Sequence, residues 1–386
     1  MTIESQMNTQ RDTIMKRLIL TLILPLILIA CGGGTQAPDP IIPPVQVSTN
    51  DAFGAVLQQH QVPAIGGVYI EEGQVLEQFV LGVRKEGTST QVSIDDRWHL
   101  GSITKSFTAT LAAVLIEMEY LAWQTTIGEV FDANEYYQKY ANVTLEQLLS
   151  HTGGIHGEII DTPGWDNYFT RTDELMDQRK DMVSAILHMQ GNGIGNFTYS
   201  NGSFVIAGAM MERIMGSSWE YLLEEYLLLP LDIQDVQYGA PTSDVVDGQL
   251  VGHDLISGSW SPVEATSLYS DNPKAMGPAG TLSMSLASLT KYVVDHMGGI
   301  SGQSTILTSS SYERLHQKVS GTDYAMGWFI NGTNVYHMGT NTLWYAHVGI
   351  DFGSKTVGVI AVTNVGGDRG TAVTDNIIDV LLDRNY

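Results

Sequence analysis

Segments with strand character lie towards both ends of this 386-residue chain, and a long stretch between them reads as mostly helical. Residues 66–87 hold two strand-like runs around Glu71-Glu72-Gly73, a hairpin signal. Strand character returns from Val335 to Ile350 and again from Thr356 to Val362. Between these ends, roughly residues 121–290 carry helical segments at 145–149, 174–189 and 204–215. Residues 49–61 read as a helix leading to the first strand, and Ser102 to Tyr120 as a long, buried central helix. The last stretch, 372–385, has apolar residues at helical spacing. An α+β body satisfies this order: a mixed domain built from both chain ends, with a mostly helical insertion. Catalytic groups are expected in the cleft between the two parts.

With 43% hydrophobic and 16% charged residues, the chain can bury one large core without disulfides. Asp and Glu number 42 against 19 Lys and Arg, for a formal charge of -23. A surface of that sign repels phosphate backbones and argues against nucleic-acid binding. A single Cys, Cys31, excludes a disulfide scaffold, a Cys-rich zinc site and CxxC redox chemistry. No HExxH occurs and the ten His show no pairing with carboxylates, so neither a metal nor another cofactor is implied.

Lys16 and Arg17 precede an apolar run from Leu18 to Ala30. That run is shorter than the roughly 20 residues of a membrane-spanning helix, and it reads as the core of a signal peptide covering residues 1–30. Its end, Leu28-Ile29-Ala30-Cys31-Gly32, resembles the bacterial lipobox, which makes Cys31 the expected lipidated N-terminus. Met15 is the more natural start for such a signal. By the same resemblance, Gly32 after the Cys points to the periplasmic face of the outer membrane. Residues 31–47 are rich in Gly and Pro and read as a tether; the body begins near Ser48. Only Glu4 and Asp12 among the acidic residues precede Cys31, so the acidity belongs to the body.

Three short elements carry the chemistry. In Ser102-Ile103-Thr104-Lys105 the Ser and Lys share one face at the head of the central helix, so the amine reaches the hydroxyl. Desolvation of such a Lys lowers its pKa and lets it take the Ser proton. On its own the pair is a weak signal. In Tyr199-Ser200-Asn201, a Tyr beside that Lys can act as general base and acid, and Asn201 can orient a carbonyl; the bland alternative is a helix cap. In His337-Met338-Gly339-Thr340, Gly339 permits close backbone approach, and the Thr340 N–H with that of Ser102 can form an oxyanion hole. A surface His on a hairpin is the alternative there.

Together these elements resemble the class C beta-lactamase and penicillin-binding-protein-like serine hydrolases. That family uses Ser-x-x-Lys, Tyr-x-Asn and a third motif of Lys-Thr-Gly or His-x-Gly type. All three occur here in order, from Ser102/Lys105 through Tyr199/Asn201 to His337/Gly339. Trp98 before Gly101-Ser102, the run Leu148 to Gly154, Ala279-Gly280-Thr281, Gly327-Trp328 and Val362-Thr363-Asn364 match as well. The likeness implies an antiparallel sheet flanked by helices, with the site beside an inserted helical part. It implies an acyl-enzyme on Ser102, activated by Lys105 and Tyr199, with Asn201, His337, Gly339 and Thr340 meeting the substrate. His337 and Met338 stand where members that hydrolyse antibiotics use Lys and Thr to bind a carboxylate. A neutral His has no full charge and Met has no hydroxyl. A carboxylesterase or a small-amide or D-amino-acid peptide hydrolase is therefore the leading expectation. A beta-lactamase or DD-carboxypeptidase is one alternative, and a catalytically silent cell-wall or partner-binding module the other. His151 is expected to structure a loop and His347 to pack on a strand. Trp165, Tyr168 and Phe169 line an acyl or leaving-group pocket or form a small core.

Overall fold

The computed structural model describes residues 51–243 and 248–383. The expectations for the signal segment, the tether and Cys31 lie outside the described residues. Helix α1 (Asp51–His60) leads into strands β1 (Ala64–Glu71) and β2 (Gln74–Gly82). Glu72 and Gly73 join the strands at positive φ (50° and 76°), the two-residue turn whose twist suits a hairpin. Then come β3 (Trp98–His99), α2 (Thr104–Glu117), α3 (Leu175–Leu187) and α4 (Asn201–Met215). They are followed by β4 (Gln237–Tyr238), β5 (Gly252–Ile256), β6 (Ser259–Val263), β7 (Leu282–Met284) and α5 (Leu286–Gly299). The chain closes with α6 (Ser309–His316), β8 (Phe329–Asn331), β9 (Asn334–Thr340), β10 (Tyr345–Phe352), β11 (Thr356–Thr363) and α7 (Gly367–Asp383).

Six strands form one antiparallel sheet in the order β2-β1-β11-β10-β9-β8, so the two chain ends pair at β1 and β11. Alternate residues of β1 serve two cores, as the two-residue period of a strand requires. Val68 and Ile70 join the main core with Leu286 and Val293 of α5. Ile65 and Tyr69 join a second core with Phe53 of α1 and Ile377 of α7. Burial on both faces explains why β1 reads as a continuous apolar run rather than an alternating one. Each fully buried aliphatic side chain here contributes about 1.5–3 kcal/mol.

Residues Thr104 to Leu115 of α2 are all buried, so this helix is covered on every side and lies inside the main core. A second, three-stranded sheet, β3-β7-β4, leads the chain up to its start. The stretch 121–290 is less helical than its sequence suggests: β4, β5, β6 and β7 all fall within it, and α5, which begins there, packs against the six-stranded sheet. The β5–β6 ribbon escapes a periodicity reading because most of its residues are exposed or half-buried and several are polar. Its one local signal is the turn Ser257-Gly258, at φ 52° and 83°.

Candidate active site

A 3₁₀ turn, Gly101–Ile103, opens directly into α2 and puts Ser102 and Lys105 on one face. Lys105 Nζ lies 3.0 Å from Ser102 Oγ, 2.7 Å from Asn201 Oδ1 and 2.7 Å from the Ala279 carbonyl. The side chain is fully buried, and none of these three partners is a carboxylate. Burial without a compensating charge holds the amine well below its ordinary range. A neutral amine has two N–H groups and one lone pair. With the Asn201 and Ala279 oxygens taking two N–H groups, a deprotonated Lys105 would turn its lone pair to the Ser102 hydroxyl.

Tyr199 hydrogen-bonds the Ser102 side chain, and burial pushes its phenol above the ordinary range, so it stays protonated. Its ring centroid lies 4.9 Å from Lys105 Nζ and helps keep water from the amine. Asn201 is the first residue of α4, and Ser200 caps that helix by accepting the Ser203 N–H at 3.3 Å. The triplet is thus a helix cap and a part of the site at once. His151, at φ 59°, lies behind it with its ring 4.3 Å from that of Tyr199. Its Nδ1 accepts the Ser200 N–H at 3.1 Å and its carbonyl accepts the Thr198 N–H at 2.9 Å. His151 therefore shapes the loop that presents Tyr199.

Strand β9 passes close against the 3₁₀ turn. A Cβ on Gly339 would stand 1.9 Å from the Leu100 carbonyl oxygen and 2.7 Å from the Ser102 nitrogen. One on Gly101 would stand 2.4 Å from the Thr340 nitrogen. Only glycine permits this approach, which draws the Ser102 and Thr340 amides together.

His337 sits differently from a residue that meets a ligand. Its side chain is buried, with Nδ1 2.7 Å from the Met338 carbonyl and Nε2 3.1 Å from the Tyr324 hydroxyl. Nδ1 must donate to the carbonyl, so Nε2 accepts from Tyr324 and both ring nitrogens are used within the protein. Burial, with Lys105 nearby, lowers its pKa to about 3. The substrate contact expected of His337 is corrected accordingly: the ring supports the wall made by Tyr324 and Tyr199. Strand alternation puts His337 on the face it shares with Gly339, where the Tyr324 hydroxyl and the Met338 carbonyl occupy its ring. His347 opposes Met338 in register and lies on the other sheet face, at a cavity of about 440 Å³ that also touches Tyr336 and Asp351.

A larger cavity of about 720 Å³ is lined by Tyr168, Phe169, Tyr238, Leu268, Asp271 and Lys274, among others. Trp165 packs edge-on against Phe169 at 5.7 Å, and Tyr269 meets Phe169 at 5.0 Å from the opposite loop. Trp165 and Tyr168 thus pack on the main core, and Tyr168 and Phe169 line this cavity, whose lining residues do not include Ser102 or Lys105. Two parts of the site carried no assigned role in the sequence: the Ala279 carbonyl, hidden in a glycine turn, and Tyr324, which no motif marks. Among the described residues no group of three His, Cys, Asp or Glu suits a metal ion. No described helix is long and apolar enough to cross a membrane.

A buried Ser–Lys pair, a Tyr at its flank and two backbone segments drawn together beside the Ser are an arrangement that can carry out serine acyl transfer. The Beta-lactamase family model matches residues 49–382, and the chain belongs to that family of serine hydrolases. It is 24% identical over 351 residues to Penicillin-binding protein 4 of Amycolatopsis lactamdurans, covering 86% of this chain and 88% of that one. It is also 24% identical to an unguisins hydrolase of Aspergillus campestris over 76% of this chain, spanning 58% of the relative's length. The D-amino acid amidase of Ochrobactrum anthropi, solved with L-phenylalanine amide, superposes with a TM-score of 0.68 at 17% identity, over 86% of this chain and 97% of that one.

Proposed function

We propose that the protein hydrolyses a small amide or ester through an acyl-enzyme on Ser102. The observation that carries this reading is the buried Lys105, 3.0 Å from Ser102 Oγ and otherwise bonded only to the neutral Asn201 and Ala279 oxygens. As Oγ attacks the substrate carbonyl, its proton passes to Nζ and the Oγ–C bond forms. The charge that develops on the carbonyl oxygen faces the Ser102 and Thr340 N–H groups. Collapse breaks the bond to the leaving group, which receives the proton from Lys105 by way of the Tyr199 hydroxyl. Asn201 keeps its Nδ2 for a substrate carbonyl. Water, activated by the same pair, then releases the acid.

The substrate reading rests on what the third motif lacks. His337 is neutral and occupied, and Met338 has no hydroxyl, so neither holds the carboxylate of a beta-lactam or a C-terminal D-Ala. The amidase and unguisins hydrolase among the similar proteins favour an amide. The aromatic wall of the cavity suits an apolar group beside it. The test is a panel of p-nitrophenyl esters, D-amino-acid p-nitroanilides and a chromogenic cephalosporin, each with the wild type and Ser102→Ala. Ester or anilide turnover lost in Ser102→Ala, with little cephalosporin turnover, is expected. Rapid cephalosporin turnover would contradict the substrate reading.

We also propose that Cys31 is lipidated and tethers the enzyme to a membrane surface. Intact-mass analysis of the protein from a bacterial membrane should give a mature N-terminus of acylated Cys31; an unmodified Cys31 would contradict it.

A further inference from the structure

We propose that Asp271 is the positioning residue of the oxyanion site, its two carboxylate oxygens each holding one of the backbone segments that supply the N–H groups. The proposal rests on the acyl-transfer reading of Ser102. The two amides hang from different sheets: Ser102 follows β3 of the three-stranded sheet, and Thr340 ends β9 of the six-stranded one. Asp271 belongs to neither sheet and lies in the irregular segment between β6 and β7.

On one side, the Gly101 N–H donates to His99 Nδ1 at 3.0 Å, and His99 Nε2 lies 2.9 Å from Asp271 Oδ2. A backbone N–H can only donate, so Nδ1 carries no proton, Nε2 carries it, and the carboxylate accepts. On the other side, Asn341 follows Thr340 and donates from Nδ2 to Asp271 Oδ1 at 3.0 Å and to the Ser270 carbonyl at 3.3 Å. Its own Oδ1 accepts the Leu343 N–H at 3.2 Å, which fixes the orientation of the amide. Asp271 thus stands between two side-chain donors of set direction, its Oδ1 also accepting the N–H of the neighbouring Asn272 at 2.7 Å, and a carboxylate supplies an acceptor oxygen on each side. His99 and Asn341 are buried and the Asp271 side chain is only 9% exposed, so water competes little for these bonds. Asp271 makes none of its hydrogen bonds to Ser102 or Lys105, and acts through His99 and Asn341.

Asp271→Asn is the informative variant, because it keeps the size and offers one oxygen where two are needed. Whichever way the new amide turns, one of its N–H groups meets His99 Nε2–H or the Asn341 amino group. Losing an oxyanion donor outright costs about 10²–10³-fold in kcat. A displaced donor should cost about tenfold to a hundredfold. Hydrolysis of p-nitrophenyl butyrate by Asp271→Asn and Asp271→Ala is therefore expected to lose kcat by that factor, with KM changed less than about twofold. Amide hydrogen exchange at Gly101–Ile103 and Gly339–Asn341 should quicken in both variants at temperatures where circular dichroism reports a folded chain. Unchanged exchange, or a kcat within twofold of wild type, would overturn the proposal. If the wild type hydrolyses neither the esters nor the D-amino-acid anilides, the acyl-transfer reading fails, and the exchange comparison still decides whether Asp271 braces the two segments.

Discussion

Two basic side chains are fully buried among the described residues, and their surroundings differ. Arg179 on α3 meets Glu212 and Glu220, the latter at 2.6 Å, and also donates to the Ala275 carbonyl. Burial alone would lower its pKa, but the two carboxylates outweigh that and hold it charged. Lys105 bears the same desolvation cost and meets only neutral oxygens, so its pKa is held well below the ordinary lysine range. The comparison teaches how one core makes a structural ion cluster in one place and a base in another. What decides is the charge of the partners, because the depth of burial is the same.

The largest expected effect breaks the comparison on the Lys105 side. Lys105→Ala should cut kcat/KM by about 10²–10⁴-fold, the range of a positioned general base. Lys105→Arg should not restore it, because guanidinium keeps its proton. Ester kinetics with both variants, beside their circular dichroism, check this.

On the Arg179 side the loss should fall on stability. Arg179→Met leaves Glu212 and Glu220 buried without their cation, which costs about 3–5 kcal/mol. Urea unfolding measures that loss, and molecules still folded should keep wild-type kcat.

Acid should separate the regions further. Burial lowers the pKa of His316, and of His337, to about 3. Both are neutral when folded, whereas an unfolded His takes up a proton near pH 6.5. Their share of stability is therefore complete above about pH 6.5 and is lost as pH falls towards 3. Each group contributes a slope of up to about 1.4 kcal/mol per pH unit in that window. Unfolding midpoints between pH 7.5 and 4 test the sign, and His316→Phe should flatten the decline.

Ser200→Ala gives the smallest effect. Removing the cap of α4 should cost about 1 kcal/mol, with a modest fall in kcat as Tyr199 loosens; thermal unfolding and ester kinetics read both.

Much of the site was legible because its geometry is local. Ser102 and Lys105 meet through three residues of helix, and Tyr199 with Asn201 sits at a helix start that Ser200 caps. The sheet was legible too, since β1 and β11 are apolar runs near the chain ends and a turn signal at Glu72-Gly73 sets off β2. His337 was found, but the Tyr324 hydroxyl that occupies its ring comes from a segment no motif marks. The brace through Asp271 left no trace in the sequence. It sits in a loop 172 residues from His99 and 70 from Asn341, and neither periodicity nor a turn signal links the three.

The central claim is that Lys105 rests as a neutral amine facing Ser102. It is tested most directly by NMR titration of the lysine ε-carbons in isotope-labelled protein, compared with Lys105→Ala. One signal should titrate well below the usual lysine range and vanish in the variant. A full set of signals titrating near 10.4, with none displaced, would contradict the account.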